Sequence, residues 1–297
     1  MADCEGGCEC SDPKPKFTRG LCKKCKTQSG KFVIRNNLSC AQCFIEFMEH
    51  RFRTALRAGL DELIGENTLV CISGGGNSTV MTHLIYKSLA NYRIKKLIVN
   101  PPKVLYVDDS VVYGTPVERV NEFREYLTSR YEFSVDTVKI EDEYPDISNL
   151  LIQRSERGSH REDLISDCIQ NIILKYAQQR GYSKVLTGHS GSRIASCILA
   201  DVCKGKGASI SDWSLLKLHR EEIQLIRPMR EFLTKETELY IHLESISTLP
   251  KLPLANVTTL PGLGSIDLLI EDFLLNLQDK FPSTTHTILR TVSKLSK

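Results

Sequence analysis

A run of four apolar residues, Leu69-Val-Cys-Ile72, that breaks at once into Ser73 and three consecutive glycines is the most restrictive stretch of this 297-residue chain. The run reads as a strand buried on both faces of a parallel sheet. From about Asn77 the pattern turns helical, with Val80, Met81, Leu84, Ile85 and Leu89 on one side. Such a strand, glycine turn and helix N-terminus present several unpaired backbone N–H groups at the positive end of a helix dipole. That arrangement suits a phosphate. No Gly-Lys-Ser/Thr follows, so a Walker lysine is missing, and glycines at 74, 75 and 76 do not make the dinucleotide pattern G-x-G-x-x-G. Open parallel sheets also use glycine turns with no ligand, so the stretch alone leaves that reading open.

The residues that follow alternate strands with helices. Strands are expected at Lys103–Asp108, Ser134–Ile140, Lys184–Thr187 and Gln224–Met229. Helices are expected at about Val117–Arg130, Arg161–Gly181 and Ile194–Cys203. The fold class is therefore α/β, an open and mostly parallel sheet. Ligands of such sheets bind beyond the strands' carboxyl ends, where Ser73, Gly74, Gly75, Gly76, Asn77 and Ser78 fall, together with Asp108 to Ser110 and the exit loop Gly188-His189-Ser190-Gly191-Ser192-Arg193.

Ahead of this domain, Cys22-Lys-Lys-Cys25 and Cys40-Ala-Gln-Cys43 are separated by fourteen residues, the spacing of a four-cysteine zinc ribbon. Paired thiolates from two tight turns would enclose a structural zinc ion, with Lys31–Arg35 as a ribbon strand. Phe44, Phe47, Met48, Phe52, Leu56, Leu60 and Leu63 then recur at helical spacing. The chain holds eleven cysteines and lacks the basic and apolar regions of a signal peptide at Met1-Ala-Asp-Cys-Glu5. A soluble, cytoplasmic, reducing location is expected, in which such cysteines bind metal and do not form a disulfide framework. No apolar run approaches the length of a membrane span. The formal charge is +3, from 39 basic and 36 acidic residues, so any nucleic-acid surface has to come from local clusters. Candidates are Arg51–Arg57, Lys95-Lys96, Lys204/Lys206 and Arg227/Arg230. The expected organisation is a disordered 1–20, a ribbon with linking helix over 21–64, the α/β domain over 65–248 and a helical extension over 249–297. In that extension, a helix at about Ser265–Lys280 has the apolar density of one that docks on its own domain or on a partner.

Taken in order, the motifs carry a resemblance. Ser73-Gly-Gly-Gly-Asn-Ser78 resembles the S-G-G-x-D-S loop of PP-loop ATP pyrophosphatases, a superfamily with an adenine nucleotide alpha hydrolase-like fold. With the cysteine-paired ribbon, Val107-Asp-Asp109, Thr187-Gly-His189 and Ile226-Arg-Pro-Met-Arg230, residues 20 to 290 resemble the tRNA 2-thiolation proteins. Active members of that group adenylate the C2 oxygen of a tRNA uridine, which sulfur replaces.

This chain departs from the active pattern at each chemical position. Asn77 stands where a loop aspartate would help hold magnesium-bound pyrophosphate. Gly191, Ser192 and Arg193 stand where the exit loop would be acidic, and Arg154–Arg161 contains no cysteine. Cys168, Cys197 and Cys203 read as small buried apolar residues and not as sulfur carriers. The closer resemblance is to the cytoplasmic tRNA 2-thiolation protein 2 family, the non-catalytic sister subunit. It implies a heterodimer with the catalytic subunit, tRNA binding at the wobble uridine of tRNAs for Lys, Glu and Gln, and sulfur from a thiocarboxylated ubiquitin-like carrier. No catalytic residue and no iron–sulfur cluster is expected, while the surviving backbone cradle leaves ATP binding open. Sister-group members often carry a further cysteine pair beyond the position of Lys297, which would make this a short form. Two other readings compete: an independently active PP-loop pyrophosphatase, and a serine hydrolase at Gly188-His189-Ser190-Gly191. The last fails because Ser192 occupies the position of the elbow's final glycine.

Overall fold

The computed structural model describes residues 20–59, 67–90, 101–153, 158–207, 210–249 and 265–295. The segment 1–19, Leu60, Leu63, Lys95-Lys96, residues 154–157 of the 154–161 stretch, and the linker and glycine turn expected within 250–264 lie outside the described residues. The chain divides into two compact units, Met1–Phe44 and Ile45–Lys297.

In the first unit, β1 (Phe32–Ile34) and β2 (Asn37–Ser39) form an antiparallel hairpin. Arg35 and Asn36 turn it with φ of 49° and 65°, the left-handed pair that a two-residue hairpin needs. Only β1 was legible as a strand, because Asn37-Leu-Ser39 offers a single apolar side chain. Helix α1 (Ala41–Gly59) begins here and continues into the second unit, where Met48, Phe52 and Leu56 are fully buried at successive i+4 positions.

The second unit carries a six-stranded sheet. In chain order come β3 (Thr68–Ile72), α2 (Gly76–Ala90), β4 (Lys103–Asp108), α3 (Ser110–Tyr113), α4 (Val117–Tyr131) and β5 (Val135–Lys139). There follow α5 (Ile140–Glu143), α6 (Ile147–Gln153), α7 (Gly158–Arg180), β6 (Lys184–Thr187), α8 (Gly191–Cys203) and α9 (Ile210–Ser214). The unit closes with β7 (Lys217–Arg220), β8 (Ile223–Ile226), α10 (Thr234–Glu244), α11 (Ile266–Lys280) and α12 (Thr284–Val292). Strand order is β5-β4-β3-β6-β8-β7, parallel except for β7, which pairs antiparallel with β8. β7 was not expected: its hairpin turns on Glu221, at φ 53°, without the Asn-Gly or Asp-Gly signal of such a turn. The expected α/β class and mostly parallel sheet are what the chain adopts.

All five residues of β3 are buried. Leu69 and Cys71 pack with Leu105, Val107 and Val185 against Ile165, Cys168 and Ile172 of α7. On β4, Tyr106 meets Phe123 of α4 edge-on, 6.1 Å between ring centres. Because strand side chains alternate faces, a strand covered on both sides has to be apolar at every position. From β3 the strands run outward to β4 and β5 on one side and to β6 and β8 on the other. The order reverses between β3 and β6, and their carboxyl ends open the crevice where such sheets hold ligands. No described helix is long and apolar enough to cross a membrane.

Candidate functional site

At the reversal point, Ser73 to Ser78 leave β3 and enter α2. Gly74 sits at φ 80°, a left-handed conformation that favours glycine. The Ser78 hydroxyl ties the loop into a ring: its Oγ donates to the Gly75 carbonyl at 3.0 Å, accepts from the Ser73 amide at 3.2 Å, and lies 3.2 Å from Ser73 Oγ. The Asn77 amide nitrogen donates to Ser190 Oγ at 3.1 Å, joining the loop to the exit of β6. From the other side Leu249 donates its backbone N–H to the Gly74 carbonyl at 2.8 Å.

The β6 exit is shorter than expected. Helix α8 begins at Gly191, three residues before the helix that the sequence suggested, because Ser190 caps it by accepting from the Arg193 amide at 3.3 Å. Only Gly188, His189 and Ser190 form the loop. His189 lies edge-on to Trp213 and within 3.1 Å of Thr187 Oγ1 through Nδ1. Burial, with Arg227 and Arg193 nearby, pushes its pKa down to about 3, so the ring is neutral at physiological pH. Asp108, at the end of β4, accepts from the Ser110 amide at 3.0 Å and so supports the first turn of α3. The structure thus brings Ser73–Ser78, Asp108, Gly188 and His189 to one rim.

The four cysteines of the first unit also come together. Every Sγ of Cys22, Cys25, Cys40 and Cys43 lies within 4.8 Å of the others, and Cys25 and Cys40 are 3.9 Å apart. A tetrahedral thiolate site with metal–sulfur bonds near 2.3 Å has sulfur–sulfur edges of about 3.8 Å, so the set fits an enclosed metal ion. The first knuckle closes when Lys26, at φ 59°, donates its N–H to the Cys22 carbonyl at 2.9 Å. The second is not a loop turn: Cys43 lies in the first turn of α1. The thiols differ, Cys25 being lowered to about 6 by hydrogen bonds with Thr27, and Cys43 raised to about 12 by burial.

Comparison with known proteins shows where this geometry belongs. The profile of the family "Cytoplasmic tRNA 2-thiolation protein 2" matches residues 265–297, the segment of α11 and α12. The protein of that name from Danio rerio is 27% identical over 365 residues, covering 97% of this chain and 70% of that protein. The Homo sapiens protein is 27% identical, covering 96% and 69%. Over most of its length the chain is similar to the proteins of the cytoplasmic tRNA 2-thiolation protein 2 family. In fold it is similar to the U34-tRNA thiolase NcsA from Methanococcus maripaludis, a structure described with its [4Fe-4S] cluster. The TM-score is 0.69 at 17% identity, over 94% of this chain and 88% of that one.

Several sequence readings need correction. Lys204 is no phosphate ligand, since only 8% of its side chain is exposed and it binds Asp163 and Asp267, each at 2.8 Å. Arg227 is buried as well, donating to the carbonyls of Asp212 and Leu215 at 2.6 and 3.2 Å beneath the Trp213 ring. On α1, Arg51 and Arg53 pair with Glu231 and Glu49 at 3.0 and 3.6 Å. Cys168 is buried as expected, but Cys197 is half-buried and Cys203 exposed, because α8 turns its last residue outward. Arg193 pairs with Glu271 of α11 at 3.0 Å. The side chains of α11 that take up α8's polar residues were not foreseeable before the docking partner of α11 was known.

Gly188 shows how closely the two loops meet. A Cβ there would lie 2.5 Å from Ser78 Cα and 2.8 Å from its nitrogen, with backbone and not a flexible side chain in the way. Gly188→Ala is expected to cost about 1–3 kcal/mol as the loops are forced apart. A lowered urea midpoint with an unchanged slope would register this, and an unchanged midpoint would show that the loops separate freely.

Proposed function

We propose that this chain is the non-catalytic subunit of a heterodimer that 2-thiolates the wobble uridine, U34, of cytosolic tRNAs for Lys, Glu and Gln. It contributes tRNA-binding surface and stabilises a catalytic partner with an intact PP-loop, and sulfur arrives on a thiocarboxylated ubiquitin-like carrier. The observation that carries this reading is at the crevice. The position of the pyrophosphate-loop carboxylate is an amide, Asn77, engaged with Ser190. The position beyond β6 that the resemblance makes acidic is a guanidinium, Arg193 in the first turn of α8, paired with Glu271. Adenylation by ATP needs carboxylates to hold the divalent cation that screens the phosphates, and an amide and a cation do not replace them.

The four-cysteine set is read as a closed structural zinc site, the four-thiolate donor set being the one zinc takes when its role is to hold a fold. Cys168, Cys197 and Cys203 are read as structural. Among the described residues the Cys22–Cys25–Cys40–Cys43 set is the one that gathers three or more metal-ligating side chains. In this reading sulfur handling falls to the partner.

The test is pyrophosphate release from labelled ATP by the purified chain with magnesium and a U34-bearing tRNA transcript. The expected result is no release above the protein-free rate. Release should begin when a subunit with an intact S-G-G-x-D-S loop, recovered from native cytosol on the tagged chain, is added. Turnover by the chain alone would establish instead that it is an independent pyrophosphatase.

A further inference from the structure

The formal charge of +3 is not spread evenly along the chain. Residues 45–297 hold 31 basic and 32 acidic residues, whereas 1–44 hold eight basic and four acidic. The whole positive excess therefore belongs to the first unit. Within that unit, residues 20–44 contain Lys23, Lys24, Lys26, Lys31 and Arg35 and no Asp or Glu. Four thiolates around a divalent ion would offset only part of this charge. A stretch of 25 residues with five cations and no carboxylate has no ion pairs of its own to make.

The ribbon displays these cations. Lys26 to Ser29, the tip of the first knuckle, are exposed without interruption, and Lys23 and Lys31 are exposed as well. Backbone bonds hold the knuckle against the hairpin: the Lys23 amide donates to the Leu38 carbonyl and the Lys31 amide to the Ser39 carbonyl, each at 2.9 Å. Lys23 Nζ reaches the Asn36 carbonyl at 3.4 Å and Asn37 Oδ1 at 3.3 Å, neutral acceptors that leave its charge uncompensated. Lys24 and Arg35 are engaged by other groups, so the charge on offer is that of Lys23, Lys26 and Lys31. The two aromatic residues of this stretch are not presented to a base, Phe32 being half-buried and Phe44 buried. In the second unit the cations expected to meet RNA are spent on carboxylates: Lys204 and Lys206 on Asp163, Arg51 on Glu231 and Arg53 on Glu49.

We propose that the ribbon is a contact for the RNA backbone, with Lys23, Lys26 and Lys31 set against phosphates and no base read by this unit. Lysine ammonium groups bind phosphate as point charges on flexible stems. Such contacts hold a nucleic acid in place without selecting its sequence. The inference rests on the reading that the chain contributes tRNA-binding surface, and names the part of the chain that does so.

The experiment measures binding of a fluorescently labelled U34-bearing tRNA transcript to the full chain, alone and with its co-purified subunit, over a range of salt. The triple variant Lys23→Gln, Lys26→Gln and Lys31→Gln should lower the salt slope by about two to three. The advantage of the wild type over it then shrinks about 20- to 40-fold between about 50 and 200 mM salt. An unrelated RNA of the same length should lose affinity by the same factor. Arg119→Gln, Lys139→Gln and Lys280→Gln together remove the same charge from exposed positions of the second unit and should leave the slope as it is. Metal content and thermal unfolding of both variants should match the wild type, which separates lost charge from lost fold. If the wild type binds the transcript and the ribbon variant binds it equally well with the same slope, the ribbon is not an RNA contact, and the tRNA reading stands without it. If both triple variants lower the slope equally, the attraction is diffuse and the inference is overturned. If the ribbon variant releases the co-purified subunit while the chain's own tRNA affinity is intact, the lysines dock an acidic protein face, which overturns it as well. If the wild type binds no tRNA even with its subunit, both readings fall together.

Discussion

Cys22→Ser combined with Cys25→Ser is expected to take the metal content from one zinc per chain to none and to unfold the first unit, leaving the sheet domain intact. The described part of that unit has two strands of three residues each and a buried cluster made of Cys22, Cys40 and Cys43 themselves, with Cys25 packed on it. A segment of that size buries too little apolar surface to fold without a staple. Binding of structural zinc to four deprotonated thiols supplies about 10–16 kcal/mol in isolated fingers at neutral pH, and that binding energy is folding energy. Removing two ligands removes nearly all of it. Elemental analysis gives the stoichiometry, and limited proteolysis should show rapid loss of residues before α1 while the remainder persists. Cys203→Ser, at an exposed thiol, serves as the control and should change neither. An intact chain without zinc, or a double variant with its first unit still protease-resistant, would refute the metal site.

Lys204→Ala is the second large effect, with an expected loss of about 3 kcal/mol, the lower end of the cost of leaving a buried charge without its partner. Lys204 sits just past the end of α8, where the helix dipole already favours a cation. Its ammonium holds Asp163 of α7, Asp267 of α11 and, at 3.8 Å, Asp201 of α8. Removing it leaves Asp267 without a cation, Asp163 with Lys206 alone at 2.7 Å and Asp201 with the Trp213 indole at 2.8 Å, and it loosens α11, which is otherwise tied at this end by the Ile266 amide donating to Ser159 Oγ at 2.8 Å. A melting temperature lower by about 10 °C follows for a unit of this size, with early hydrogen exchange in α11. Lys204→Met together with Asp163→Asn and Asp267→Asn should recover most of the loss, because it leaves fewer charges unpaired. If Lys204→Ala melts like the wild type, the three helices are held by apolar packing alone.

The pH dependence of this cluster follows from the shifts. Burial opposes the Lys204 charge, but Asp163 and Asp267 hold its pKa up at about 12. Its contribution is therefore complete below the ordinary lysine value near 10.4 and is lost only as pH rises through about 12. Asp163, also opposed by burial, is held below its ordinary value by Lys204 and Lys206. Its contribution is present above pH ~4 and fades as pH falls further. Between about pH 5 and 10 the latch should be insensitive to pH.

Two parts of this protein were legible before any coordinates. The gathering of four thiols that could hold a metal ion follows from spacing alone, because C-x-x-C dictates local geometry and two such pairs need only one hairpin between them. The parallel sheet follows from β3 and β4, whose unbroken apolar runs fit only strands covered on both faces, and from Ser73–Ser78 at the turn into α2. The departures at Asn77 and Arg193 could likewise be read from the order of motifs.

What the sequence could not decide was where its charged groups go. Lys204 and Arg227 look like solvent-facing cations in one dimension. They are buried because α7 and α11 bring Asp163 and Asp267 to the first, and because Trp213 and the carbonyls ahead of β7 enclose the second. The apolar stripe of α11 was evident, but that it docks on α8 of its own domain was not, since amphipathicity specifies a face and not its partner. β2 and β7 were missed for the same reason. A strand of three or four residues with one apolar side chain is stabilised by pairing with its neighbour, and only the assembled fold supplies that neighbour.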